Sequence, residues 1–279
     1  MVHILTPPAV DDVGLIDDVI AERQTGVNAA FFNGIAVEWR ERVQSYLDGR
    51  GSPAVVERWP AAEARKSTLI GLYTHPAEGS AQATVLNNLR SHELVICPAC
   101  GEAGRPNTLD HYLPKRLYPQ FAIVAHNLFP MCDACQKAKL EETGDAQNPR
   151  FFIHPYFDRF SAPKLVALRI EPPFSTPLFE LTANPDLHDH ERAIVAIHVE
   201  KLEVTTRFAS FFSGAHRRVL RLAGEIREGG QDLVAMFGYF RGNACAISPN
   251  SWDFIVYDAV LSNPELMNFL QNGELPPLL

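Results

Sequence analysis

Along the first third of the chain the apolar residues fall at helical spacing. Phe32, Ile35, Ala36, Trp39, Val43, Tyr46 and Leu47 mark one face of a helix that Asp48-Gly49 ends. Ahead of it, Asp11 and Asp12 can cap and charge a first helix running to about Gln24. Residues 49–60 carry the Gly and Pro of a linker. Helical spacing resumes over residues 61–73 and 81–94, with a break at 76–79. Residues 1–93 thus read as a helical arm. No catalytic constellation stands out in it, and its acidic residues suit a solvated face.

The pattern after residue 145 is mixed. FFIHPYFDRF, near residues 151–160, is too aromatic and too broken by Pro for a long helix, and reads as a segment packed across what precedes it. Residues 165–170 and 178–181 are strand candidates joined through a Pro-Pro turn, and 195–199 is a third. Phe208, Phe212, Ala215, Val219, Leu222 and Ile226 form one apolar face of a helix over 204–226, with Arg207, Arg217, Arg218 and Arg221 on the other side. That face is the best basic patch in the chain, and an ordinary solvated surface accounts for it too. Ser251 is placed to cap a helix over 252–261, and Asn263-Pro264 to start another. After Arg241 there is no Lys or Arg, so this end is expected to pack on the body or on another protein. The segments are then 1–93, a central unit at 94–145, and a mixed, later helical region at 146–279.

Composition narrows the class. With 279 residues, 46% hydrophobic and 21% charged, the chain can bury a sizeable core. No apolar run approaches the ~18 residues of a membrane span. The start, MVHILTPPAVDD, lacks a basic stretch followed by a long apolar one, so no secretory signal is expected. Four of the five cysteines form two C-x-x-C pairs, which suits metal binding in a reducing cytoplasm better than a disulfide framework. The net charge of −8 predicts poor non-specific binding to DNA unless a local basic face or a partner supplies the contacts.

The chemistry concentrates between Val95 and Lys139. Cys97, Cys100, Cys132 and Cys135 can offer four thiolates in a tetrahedron, the closed geometry of structural zinc. A redox role is the rival reading, but no thioredoxin-like βαβ pattern surrounds either pair. Cys245 stands alone and is expected to be a small buried residue. Between the pairs, Leu109-Asp110-His111 sets a hard oxygen ligand beside an imidazole, the combination that phosphodiester hydrolysis needs. Alone, the dipeptide would equally serve to cap a turn before Pro114. Asn127 can bond the backbone across the loop and fix the orientation of the histidine, and a short helix is expected over 133–140.

The string CPAC…LDHYLPK…YPQFAIVAHNLFPMCDACQKAK resembles the ββα-metal motif of HNH endonucleases, in the subgroup with zinc-binding C-x-x-C pairs. It covers about residues 94–142. The flanking arm and FIHPYFD are more loosely similar to HNH proteins of bacterial anti-phage systems, including the PtuB-type nucleases that work with an SMC-like ATPase. The resemblance implies an α+β protein, predominantly helical, with a zinc-stapled ββα-metal unit. It implies His111 as general base, Asp110 as a ligand of Mg2+ or Mn2+, and Asn127 as the orienting residue. The last motif position, usually His or Asn and a metal ligand, falls here on Gln136, whose carbonyl binds a hard cation more weakly and on a longer arm. His154 either contributes to that site or is structural, as its place beside Pro155 in an aromatic segment suggests. His126 is either a phosphate contact or a loop histidine, and Lys115, Arg116, Lys137 and Lys139 lie near enough to hold a backbone. The expected activity is cytoplasmic, metal-dependent cleavage of DNA, with an ATPase or another defence subunit as partner. The rivals are cleavage of RNA, and a zinc-stabilised adaptor whose site has decayed at Gln136.

Overall fold

Asp11 starts the chain's first helix by accepting the N–H groups of Val13 and Gly14 on its carboxylate. In this computed structural model, which describes residues 1–277, 51% of the chain is helical and the strands form two small antiparallel sheets. The fold is α+β, mostly helical, as expected. No helix among the described residues is long and apolar enough to cross a membrane.

The chain divides into two compact units, each drawn from separate stretches. One comprises Ile4–Val95 and Arg105–Arg159. Its helices are α1 (Asp12–Ala21), α2 (Ala29–Asp48), α3 (Pro60–Ala64), α4 (Lys66–Thr74) and α5 (Ala81–Arg90). The first helix is shorter than its sequence suggested. The helical run over 61–73 is broken at Arg65, whose φ of −121° and ψ of 31° leave the helical region. α2 carries the predicted face inward: Phe32, Ile35, Trp39, Val43 and Tyr46 are buried, and Trp39 donates its indole N–H to the Gln120 carbonyl at 2.8 Å. Satisfying that donor removes the main cost of burying a tryptophan. The unit continues with β1 (Thr108–His111), β2 (Leu128–Met131) and α6 (Asp133–Lys139). β1 and β2 pair antiparallel, with Asp110 opposite Phe129 and His111 opposite Leu128.

The other unit comprises Met1–His3, Ile96–Gly104 and the chain from Phe160 onward. β3 (Val166–Glu171) and β4 (Leu178–Ala183) form the predicted hairpin around Pro172-Pro173. Then come α7 (Asp189–Lys201), α8 (Val204–Glu228), α9 (Leu233–Ile247), α10 (Trp252–Leu261) and α11 (Pro264–Asn272). Residues 195–199, expected as a strand, lie within α7. Glu191 accepts the His188 N–H at 3.0 Å at the start of that helix, and Ile194, Val195 and His198 share its buried side. α8 buries Phe208, Phe212, Ala215, Val219 and Ile226 as the spacing predicted. Arg207 leaves the exposed arginine face and pairs with Glu102. α9 had no counterpart in the sequence pattern, and Cys245, expected to be buried, is exposed on it. Ser251 and Asn263 cap α10 and α11 as expected.

Candidate active site and candidate metal centre

Alternation along β1 sends Leu109 and His111 to one face and Asp110 to the other. Leu109 joins Leu86 and Leu128 in an apolar cluster, while α6 packs against β1 and meets Asp110. Asp110 Oδ1 accepts from Gln136 Nε2 at 3.2 Å. Its Oδ2 lies 3.2 Å from Lys139 Nζ as an ion pair, yet no hydrogen bond of good geometry reaches that oxygen. Lys139 is only 2% exposed and donates to the His111 carbonyl at 2.7 Å. Burial lowers the Lys139 pKa, and the Asp110 carboxylate opposes that shift.

The His111 ring is 2% exposed, meets Tyr73 edge-on at 4.4 Å, and has Nε2 2.9 Å from the Ala122 carbonyl. A carbonyl only accepts, so Nε2 carries the hydrogen and Nδ1 keeps the lone pair. Among the described residues Nδ1 has no hydrogen-bond partner. Burial, then the charge of Lys115, lowers the His111 pKa to about 3, with Asp110 and the Ala122 carbonyl pulling the other way. The imidazole is therefore neutral near pH 7, as a proton acceptor must be. Tyr73 is itself fixed, its hydroxyl donating to the Leu109 carbonyl at 2.6 Å.

Asn127 is fully buried and closes the loop between β1 and β2. Its Oδ1 accepts from Leu113 N–H at 2.8 Å, and its Nδ2 donates to the Leu113 and Phe121 carbonyls, each at 3.1 Å. It acts on His111 indirectly. The Phe121 carbonyl it holds immediately precedes Ala122, whose carbonyl receives the His111 N–H.

Three residues support Asn127: Tyr46 and Asp12, which sequence spacing did not bring forward for this site, and His154, whose place here is structural. The Tyr46 hydroxyl, on α2, lies 3.2 Å from Asn127 Oδ1, from the His126 carbonyl and from His154 Nε2. His154 Nδ1 accepts the Tyr156 N–H at 3.2 Å, so Nε2 is the donor and the phenol hydrogen passes on to Asn127 or to the His126 carbonyl. Burial holds the His154 pKa well below its ordinary value, consistent with a neutral ring in this chain of bonds. Asp12, 1% exposed, accepts the Ala125 N–H at 2.5 Å, the His126 N–H at 3.2 Å and His126 Nδ1 at 2.7 Å. His126, which also stacks on Phe157 at 5.9 Å, is thus committed to the loop. The tandem Asp11-Asp12 was the sequence signal for Asp12: one acid suffices as a cap, leaving the second for another task. Tyr46 and His154 gave none beyond their types.

Gly51 sits against this relay. Its φ of +70° favours glycine, and a Cβ there would lie 2.8 Å from His154 Cδ2 and 2.9 Å from the Tyr46 hydroxyl. Gly51→Ala is expected to cost ~1–3 kcal/mol in backbone strain, with overpacking of the two rings in addition. Thermal unfolding should show a melting temperature lowered by several degrees. An unchanged melting temperature would mean that the relay is slack.

The sulfurs of Cys97, Cys100, Cys132 and Cys135 lie within 4.8 Å of one another. Metal–sulfur bonds of about 2.3 Å in a tetrahedron place sulfurs about 3.8 Å apart, so the donor set and its spacing fit a structural ion such as zinc. In the first knuckle, Gly101 (φ +74°) donates its N–H to the Cys97 carbonyl at 2.8 Å, and Trp252 donates its indole N–H to the Cys100 carbonyl at 2.6 Å. In the second, Cys132 caps α6 and Cys135 lies within it, directly before Gln136.

Of the basic residues near the site, Arg116 pairs with Glu141, Lys137 with Asp133, and Lys139 with Asp110. Lys115 has no acidic partner among the described residues, and its ammonium lies 5.2 Å from the Tyr73 ring centroid.

Comparison with known proteins adds one short likeness. No protein-family model matches the chain, and no solved structure matches it. Protein ea31 of Escherichia phage lambda is 35% identical over 63 residues, covering 23% of this chain and 21% of that protein. So small a share of either chain establishes local similarity to a phage protein and no family membership.

Proposed function

We propose that the chain is a metal-dependent HNH-type endonuclease hydrolysing phosphodiester bonds in DNA. The observation that carries the reading is the β1–β2–α6 arrangement: it sets Asp110 against Gln136 and, on the next residue, holds a buried neutral imidazole with an unoccupied lone pair on Nδ1. The carboxylate of Asp110 and the amide oxygen available to Gln136 are hard donors that fit Mg2+ or Mn2+, and Asp110 Oδ2 is a buried oxygen without a hydrogen bond. Such an ion, when bound, neutralises charge on the scissile phosphate and the departing oxygen.

The rest is carried by side chains of this protein. His111 Nδ1 takes a proton from the attacking water as its oxygen bonds to phosphorus and the bond to the sugar oxygen breaks. By resemblance, the products carry 5′-phosphate and 3′-hydroxyl ends. A base is most effective when its pKa lies near the working pH, and that of His111 is far lower. The phosphodiester monoanion seated beside the ring raises it, which ties the strength of the base to the presence of substrate. Asn127 keeps the loop from moving Ala122 away. In this reading the four cysteines hold zinc. An ATPase or another subunit of an anti-phage complex, in the cytoplasm, supplies the loading that the net charge of −8 disfavours.

A second reading, an adaptor module with a decayed site, is favoured by one observation. Gln136 turns its amide N–H toward Asp110, and Lys139 stands at the other oxygen, so a cation has to compete for the carboxylate with both. The two readings separate in one assay. Purified protein is expected to nick plasmid DNA in Mg2+ or Mn2+, and Asp110→Asn to lose that activity while retaining the fold. Parallel RNA substrates assign the nucleic acid. Cleavage by the Asp110→Asn protein at the same rate would remove the catalytic reading, and a silent unaltered protein, even with the product of the neighbouring gene added, would favour the adaptor.

A further inference from the structure

We infer that Arg90 and Lys115 form a clamp for the phosphodiester backbone beside His111, with both cations gathered at the Tyr73 ring. The inference rests on the nuclease reading and deepens it by assigning the groups that hold the substrate. Arg90 is the last residue of α5, and its guanidinium carbon lies 5.6 Å from the Tyr73 ring centroid. Lys115 follows β1 by four residues and has its ammonium 5.2 Å from the same centroid. The edge of that ring meets His111, with centroids 4.4 Å apart. Two cations are therefore gathered within one aromatic ring of the proposed base.

Neither cation is neutralised by a carboxylate among the described residues, whereas Arg116, Lys137 and Lys139, the other basic groups near the site, each have an acidic partner. The aromatic ring attracts each cation but neutralises neither. A phosphate that both can reach supplies the counter-charge that no carboxylate of the protein provides. The ring is fixed, because the Tyr73 hydroxyl donates to the Leu109 carbonyl at 2.6 Å, and Arg90 in turn is hydrogen-bonded to the Tyr73 side chain. In a chain of net charge −8, two cations without a carboxylate partner form a local basic point at the site. The chemistry recognised is the phosphodiester itself, so DNA and RNA duplexes are both to be tried.

The test is binding without cleavage. Fluorescence anisotropy of a labelled DNA duplex and its RNA counterpart, with no added Mg2+ or Mn2+, is measured over a range of salt. Each of Arg90→Gln and Lys115→Gln should weaken binding and reduce the slope of log K against log salt by about 0.9 on duplex DNA, the value for one phosphate contact. Arg40→Gln, which loses a charge already paired with Asp17, should keep the slope of the unaltered protein. Unchanged slopes in R90Q and K115Q, with duplex still bound, would overturn the clamp and leave the nuclease reading standing. Failure of the unaltered protein to bind either duplex would overturn the clamp, while the nuclease reading is tested separately by the cleavage assay.

Discussion

Serine in place of Cys100 or Cys135 is expected to abolish retention of about one zinc per chain and to unfold the second cysteine knuckle, since closed zinc sites contribute folding free energy outright. The scale is large because binding of zinc to four thiolates is worth ~10 kcal/mol or more in small zinc domains, of which loss of one ligand forfeits a substantial part. α6 has seven residues, far fewer than an isolated helix needs for stability in water. Its first turn is framed by Cys132 and Cys135, so an ion held there fixes the helix that carries Gln136 and Lys139. Metal analysis should find about one zinc in the unaltered protein and far less in either variant, with a lower melting temperature. Cys245→Ser is the control: the residue is exposed and outside the cluster, and its loss should change neither quantity. Equal zinc content in all four proteins would place the metal elsewhere.

Replacing His111 by alanine is expected to reduce cleavage by ~10²–10⁴-fold, the range for loss of a positioned general base. The effect should appear in kcat rather than in duplex affinity, because the ring is 2% exposed and its one hydrogen bond goes to a backbone carbonyl. The cavity it leaves is bounded by Tyr73 and Ala122, so stability falls as well, and the variant must be shown to be folded before its rate is read. Asn127→Ala makes a useful contrast. It removes the acceptor of the Leu113 N–H and two donors to loop carbonyls while leaving the imidazole present, so any loss of rate there comes from position. A His111→Ala protein that cleaves as fast as its parent would remove that residue from the mechanism.

Much of the local structure was legible in the sequence, because the signals were local. The apolar faces of α2 and α8 follow from their spacing, the β3–β4 hairpin from two apolar runs around Pro172-Pro173, and the starts of α10 and α11 from Ser251 and Asn263-Pro264. Within the candidate site, the placing of Asp110 and His111 at the end of a strand and of Cys135 and Gln136 on a short helix was equally readable. Residues 195–199 misled because Val and Ile at close intervals suit a strand as well as the inner side of α7, where Ile194 and His198 lie one turn apart. α9 gave little signal. It buries Leu233, Phe237 and Ala244 but also exposes Val234, Tyr239 and Ile247, which blurs its faces.

What no spacing could show is which distant side chain completes a hydrogen bond. Tyr46 looked like one more apolar position of α2, and only the fold sets its hydroxyl against Asn127 and His154. Asp12 looked like a cap and instead holds the backbone of Ala125 and His126. Arg207 looked like part of a solvated face and is paired with Glu102.

The relay around Asn127 bears on how such a site could be moved between proteins. Residues 94–142 contain every group assigned to the chemistry, yet a chimera that transplanted them alone would arrive without Asp12, Tyr46, Tyr73 and His154. It would also lack the Tyr156 hydroxyl, which donates to the Leu128 carbonyl at 2.8 Å. The recipient would inherit the Ala125 and His126 N–H groups and the Leu128 carbonyl with bonds unmade, each a cost of ~1–3 kcal/mol. The helical arm and the aromatic segment are in this sense part of the active-site cassette, and the smallest graft that keeps its geometry reaches from Asp12 to Tyr156.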